Sequence, residues 1–134
     1  MTVKFRAVAA LMILATVPSL AVAQSGPAGS CKFFTDFEYG GNFGEYPSGQ
    51  GSYLMQPAEV TADLAQSNTL SGYQMFNSPE LAASLSSVQV GTGCKAGWVT
   101  MLNGKPVFNE TRQDLSSFAE DINDKALAVY CRCQ

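Results

Sequence analysis

The chain has 134 residues, with 8 Lys/Arg against 11 Asp/Glu, a net charge of −3 and no histidine. Without histidine, Ser-His-Asp and Cys-His machinery and every His-based zinc or haem site are excluded. The acidic balance argues against nucleic acid and anionic membrane surfaces as partners, and the sparse charge with plentiful Gly, Ser and aromatic residues suits a β-rich globule.

Lys4 and Arg6 precede an apolar run from Ala7 to Val17, Pro18 breaks it, and Ala21-Val22-Ala23 supplies the small residues that a signal peptidase reads. The run is far shorter than the ~20 residues that span a bilayer as a helix. Residues 1–23 are therefore expected to be a signal peptide, making the protein secreted or periplasmic, with no membrane span. Residues 24–134 keep 6 of the Lys/Arg and all 11 Asp/Glu, for a net charge of −5.

Export places Cys31, Cys94, Cys131 and Cys133 in an oxidising compartment, where an even number of cysteines reads as disulfides. A bond between Cys131 and Cys133 would close too tight a ring. Two pairings remain: 31–131 with 94–133, or 31–133 with 94–131. A four-cysteine metal site would want a repeated Cys-x-x-Cys spacing, which is absent.

Residues 24–30 (QSGPAGS) read as a flexible lead-in to a domain over residues 31–134. Cys31 to Phe34 begins an aromatic strand that Gly40-Gly41-Asn42 turns. Phe43 to Tyr46 and Ser52 to Met55 read as strands flanking a Pro47–Gly51 turn. Pro57 to Gln66 has weak helical spacing, Tyr73 to Phe76 reads as strand, and Ser78-Pro79-Glu80 opens a short helix through Ala83. Ser86 to Val90 alternates as a strand. After Gly91-Thr92-Gly93 the order restarts. Trp98 to Leu102 is a strand, Asn103-Gly104 a two-residue hairpin turn, and Pro106-Val107-Phe108 its return. Asp114 to Asp121 reads as a capped helical turn, and Ala126 to Cys131 as the last strand. The repetition divides the domain into motif one (residues 31–90) and motif two (residues 94–133). Two such units with long crossings predict an all-β sandwich of paired Greek keys, with short helical turns in the connections.

Phe34-Thr-Asp-Phe-Glu-Tyr39-Gly-Gly41 resembles the aromatic-x-x-x-x-aromatic-x-Gly signature of the βγ-crystallin superfamily. Ser86-Ser87-Val88 resembles the paired hydroxyls that enter the last strand of each of its Greek keys, and Leu115 to Val129 resembles the same stretch in motif two. The likeness covers essentially all of residues 31–134 and implies a two-motif βγ-crystallin-like domain of secreted microbial type. It implies structural roles for Phe34, Tyr39, Gly41 and Ser87: a positive φ at Gly41, an aromatic lid from Phe34, and a hydrogen-bond tie from Ser87. Motif two departs from the signature, with Trp98 as its nearest aromatic and Asn103 where a second would stand.

The resemblance also implies calcium. Many microbial members hold Ca2+ through Asn/Asp-Asn/Asp-x-x-Ser/Thr-Ser, a set of hard oxygen ligands. Motif one keeps the hydroxyls (Ser86, Ser87) and lacks the acids; motif two keeps Asn123 and Asp124 and lacks the hydroxyls. Ser86, Asn123 and Asp124 are the candidate ligands of one mixed site. Their alternative duties are turn formation for the acidic pair and a backbone hydrogen bond for the serine.

No catalytic residues are assigned, and a non-enzymatic module is expected. The carboxylates Asp36/Glu38 and Glu120, Asp121, Asp124 could serve a glycosidase, but acids at turns and strand edges are ordinarily solvated surface. A partner is expected outside the cytoplasm: a protein, a polysaccharide or a protease. Tyr39, Phe43, Tyr46 and Tyr53 would serve such binding if exposed and the core if buried. Because some bacterial proteinase inhibitors share the βγ-crystallin fold, inhibition is the alternative function. Its candidate loops are Gln56–Tyr73, the extra chain of motif one, and Pro47–Gly51. Asn109-Glu-Thr111 is a glycosylation sequon, meaningful in a eukaryotic source.

Overall fold

The structure is a computed structural model that describes residues 23–81, 85–118 and 125–134. The expected leader, except Ala23, therefore lies outside the described residues, as do Asn123 and Asp124. Among the described residues, eight strands and one α-helical turn follow in order: β1 (Ser30–Phe34), β2 (Phe43–Pro47), β3 (Gln50–Tyr53), α1 (Ala62–Ala65), β4 (Gln74–Asn77), β5 (Ser87–Val90), β6 (Cys94–Leu102), β7 (Lys105–Thr111) and β8 (Ala128–Cys133). They form two sheets, ordered β2-β1-β5 and β4-β3-β8-β6-β7.

The two motifs interlock. β1, β2 and β5 stay together, but β3 crosses to the other sheet and pairs antiparallel with β8. Motif two returns the exchange: β6, β7 and β8 stay together, while Leu115 crosses back to bridge Val88 of β5. Val88 and Leu115 donate to each other's carbonyls at 2.9 and 3.0 Å. Each half thus completes the other's sheet, giving one sandwich of paired Greek keys. The inner core between the sheets holds Phe33, Leu54, Val88, Val90, Trp98 and Val129.

The disulfides resolve the open pairing as 31–131 with 94–133. Cys31–Cys131 joins β1 to β8 and so links the two sheets. Cys94–Cys133 joins residues already opposite one another on β6 and β8, with Cα atoms 3.9 Å apart. Loop-closure entropy assigns these bonds about 5 and about 4 kcal/mol in the chain-entropy model.

Several local expectations shift. Asn103 (φ 51°) and Gly104 (φ 76°) form the two-residue β6–β7 turn, where both centres need positive φ. The turn after β2 closes on Ser48-Gly49, so β3 starts at Gln50 and Gly51 lies inside a strand. β4 runs parallel to β3 as an edge strand. The helix at Pro79 is a 3-10 turn over Pro79–Leu81; Ala82 and Ala83 lie outside the described residues. Residues 114–118 are a bridge and bends rather than the expected helical turn. Asp114 does not cap a helix because its carboxylate accepts from the backbone N–H of Val90 (2.7 Å) and of Ser25 (3.0 Å). The lead-in is held by these bonds and by the Gly26–Gly91 bridge.

Candidate functional site

The residues singled out in the sequence gather at the first hairpin of motif one. Phe37 to Tyr39 form a tight turn in which Glu38 (φ 54°) and Tyr39 (φ 62°) are left-handed. Gly41 has φ 76°, and a Cβ there would overlap Thr35 Oγ1 and stand 2.8 Å from Asp36 Oδ2, so only glycine fits. Buried Phe34 meets Tyr39 edge-on, with ring centroids 5.8 Å apart. The Ser87 hydroxyl donates to the Asp36 carbonyl (2.6 Å) and accepts from the Tyr39 N–H (3.0 Å), tying the turn to β5. Of the four aromatics considered for binding, Tyr46 is buried, Tyr39 and Tyr53 are half-buried and Phe43 is exposed. The Lys32 ammonium sits 3.7 Å above the Phe43 ring, a cation–π contact.

Ser86 lies beneath this turn, where the motifs meet. It is buried, its N–H donates to the Phe34 carbonyl (2.9 Å), and its own carbonyl accepts from Phe118 N–H (3.0 Å). Phe118 belongs to motif two and leads toward Asn123 and Asp124, which are outside the described residues. A serine hydroxyl with an amide and a carboxylate is a hard-oxygen donor set that suits calcium. Asp36 and Glu38 are exposed on the hairpin; Glu120 and Asp121 fall outside the described residues.

A second site lies on the outer face of the five-stranded sheet. The extra chain of motif one folds down onto it. Thr61 caps α1 by accepting from Leu64 N–H (3.3 Å), and Ser67 accepts from Leu70 N–H (3.3 Å). These turns drive Leu64 (0% exposed) and Leu70 (4%) into an outer core with Val99, Ala128 and Tyr130. Burying each leucine contributes about 1.5–3 kcal/mol. The segment is thus a cover for the sheet rather than a projecting loop.

Tyr130 organises the open part of this face. The register sets Met75, Gly51, Tyr130, Gly97 and Glu110 in one row across the five strands, so Tyr130 has a glycine on either side. A Cβ on Gly97 would fall among the Tyr130 ring atoms; the ring lies flat across that strand because Gly97 has no side chain. Its hydroxyl thereby reaches β7 and donates to Glu110 Oε1 (3.0 Å), while Arg132 pairs with Glu110 Oε2 (3.2 Å). Burial, then the charge and hydrogen bond of Glu110, push the Tyr130 phenol well above its ordinary value against the opposing pull of Arg132. Tyr73 is raised as well, first by burial. Tyr73 packs edge-on against Tyr130 at 5.5 Å and Phe108 lies 6.4 Å from it. Above them opens a groove of about 380 Å³, edged by Asn68, Thr69, Glu110 and Arg132.

The sequence carried a partial signal of this face. Val129-Tyr130 and Trp98-Val99 place apolar residues on both sides of their strands, the mark of a sheet covered twice. The groove residues themselves come from the turns over residues 68–73, from β7 and from β8, which are far apart in the chain.

No family model matches the chain, and no curated protein matches it. Solved structures do. A βγ-crystallin domain from Flavobacterium johnsoniae is 19% identical with a TM-score of 0.50, the match covering 78% of this chain and 94% of that one. A βγ-crystallin domain from Clostridium beijerinckii is 19% identical (TM-score 0.48; 77% and 97% covered), and the N-terminal domain of protein S is 15% identical (0.49; 78% and 96%). The Flavobacterium likeness gives the fold: this chain is an all-β domain with the βγ-crystallin fold.

Proposed function

We propose that the protein is an exported, disulfide-stapled, non-enzymatic binding module that takes a saccharide chain in the groove on the outer face of its five-stranded sheet. The carrying observation is the groove itself: half-buried Tyr73 and Phe108 beside the buried Tyr130 ring, bordered by Asn68, Thr69, Glu110 and Arg132. Aromatic surface beside convergent amide, hydroxyl and charged groups matches the two faces of a sugar ring, and the volume lies within the range of ligand pockets. The Tyr130–Glu110–Arg132 chain holds the polar groups in place before a ligand arrives, which lowers the ordering cost of binding. Export agrees with the paired cysteines, and among the described residues no helix is long and apolar enough to cross a membrane. Affinity electrophoresis in gels cast with soluble polysaccharides tests the reading: retardation is expected and is lost in Tyr73→Ala. Mobility unchanged in every gel would overturn it.

Calcium is a second reading, favoured by the hydrogen bond from Phe118 to Ser86, which joins the serine of motif one to the segment leading to Asn123 and Asp124. Those three residues would hold the ion, whose charge would tie the two motifs together. Titration calorimetry should give one site, weakened by Ser86→Ala and by Asp124→Ala; no heat on titration would refute it. Proteinase inhibition is the remaining alternative. With Leu64 and Leu70 in the outer core, its test is Glu59→Arg or Asn68→Arg on the exposed rim rather than loop deletion, which would remove the core.

A further inference from the structure

A second hollow of about 290 Å³ shares Arg132 with the saccharide groove, and its lining carries three cations, Lys95, Arg112 and Arg132, beside uncharged Gln24 and the chain-terminal Gln134. Residues 24–134 contain only six Lys/Arg among eleven Asp/Glu, so half of all the positive charge in an acidic chain faces this one place. Local geometry explains how it is assembled. Lys95 and Arg132 are cross-strand partners on β6 and β8, two register steps beyond the Gly97–Tyr130 pair and so on the same face of the sheet, and Arg112 follows the end of β7. Like charges directly opposite on paired strands repel, and a sequence under no other demand avoids them. Arg132 is answered by Glu110; Lys95 and Arg112 form no ion pair among the described residues. The floor is also prepared. The Gln24 side-chain amide donates to the Arg112 carbonyl at 2.8 Å and approaches the Cys94 carbonyl at 3.5 Å, covering oxygens that would otherwise repel an anion.

From this juxtaposition we infer that the hollow binds the acidic substituents of a glycan, and that the ligand class is an acidic polysaccharide: the neutral faces of its sugars lie in the groove while a neighbouring carboxylate or sulfate sits between Lys95 and Arg112. This rests on the saccharide reading of the groove. Arg112 supplies a planar fork that meets a carboxylate or sulfate through paired hydrogen bonds, and Lys95 supplies a mobile point charge. Arg132, shared by both hollows, is fixed to Glu110 and marks the boundary between them. The overall negative charge of the protein slows the approach of any polyanion, so the attraction is local and salt-sensitive.

The test uses the exported, oxidised protein and defined probes: oligogalacturonates and alginate oligosaccharides, their fully methyl-esterified counterparts, and sulfated dextran oligosaccharides. Titration calorimetry at low and at 0.5 M salt compares wild type with Lys95→Gln, Arg112→Gln and the double variant. The side chains of Lys95 and Arg112 belong to neither core, and Lys95→Gln relieves its repulsion from Arg132, so the melting temperature should not fall below the wild-type value. Acidic forms should bind at least about tenfold more tightly than the esters, with a loss of about tenfold for each cation removed. The preference should fade in the double variant and at high salt. Preference for carboxylated over sulfated probes, or the reverse, identifies the substituent. Equal binding of acids and esters would overturn this inference and leave the groove reading intact. Absence of binding by every probe, esters included, would overturn both.

Discussion

The glycine beside Tyr130 offers a test of how the outer face is built. In Gly97→Ala the new methyl would occupy space now filled by the phenol ring, well inside the roughly 3.5–4.0 Å of an ordinary carbon–carbon contact. The ring has little room to move, being 1% exposed and packed against both Tyr73 and Phe108. Overpacking of this kind costs about 1–3 kcal/mol. If the ring tilts away instead, the phenol leaves Glu110, forfeiting a hydrogen bond to a charged group that contributes about 1.5–3 kcal/mol. Either route should lower the melting temperature by at least about 4 °C, since 1 kcal/mol shifts a domain of about 100 residues by about 4–8 °C. Differential scanning calorimetry on the oxidised protein reads this directly, and the same variant should lose saccharide binding. A melting temperature within about 1 °C of wild type, with binding retained, would refute the assignment of Gly97 as the space for Tyr130.

The raised pKa of Tyr130 gives an alkaline signature: its neutral phenol contributes stability that is present in full well below pH 10, where an unfolded tyrosine titrates, and is lost progressively as pH rises through and beyond that value. Urea unfolding between pH 9 and pH 11 should show wild type declining more steeply than Tyr130→Phe; parallel curves would contradict it. The two disulfides should open in order. Cys31 and Cys131 are fully buried whereas Cys133 is half-buried, so limited reduction followed by alkylation and mass spectrometry should label Cys94 and Cys133 first. Equal or reversed labelling would count against that access order. Ser87→Ala leaves the Asp36 carbonyl and the Tyr39 N–H without their shared partner, and should cost about 1–3 kcal/mol in urea unfolding. A change below about 0.5 kcal/mol would show that water replaces the hydroxyl.

The sheets were legible in the sequence because their signals are local. Asn103-Gly104 dictates a two-residue turn by φ alone, and alternation over residues 86–90 marks β5. The features that escaped are tertiary. Asp114 reads locally as a helix cap, yet Ser25 and Val90 claim its carboxylate from far along the chain. Gly51 reads as part of a turn after Pro47, and its role beside Tyr130 exists only once β3 has crossed to the second sheet. Leu64 and Leu70, six residues apart, fall on different faces of a helix, and the Gln66 and Asn68 between them break the apolar alternation of a strand; short turns capped by Thr61 and Ser67 bring them to one surface. The groove was hidden for the same reason, since sheet register brings Phe108 near Tyr130 and the turn from Leu70 brings Tyr73 to them, with no proximity in sequence.

The most direct measurement is an amide chemical-shift titration of the oxidised protein with the oligosaccharide that binds best. Saturable shifts are expected at residues 68–73, 95, 108–112 and 130–132, with the first hairpin around residues 36–41 unmoved. Shifts centred on that hairpin, or none at saturating ligand, would contradict the placement of binding on the outer face of the five-stranded sheet.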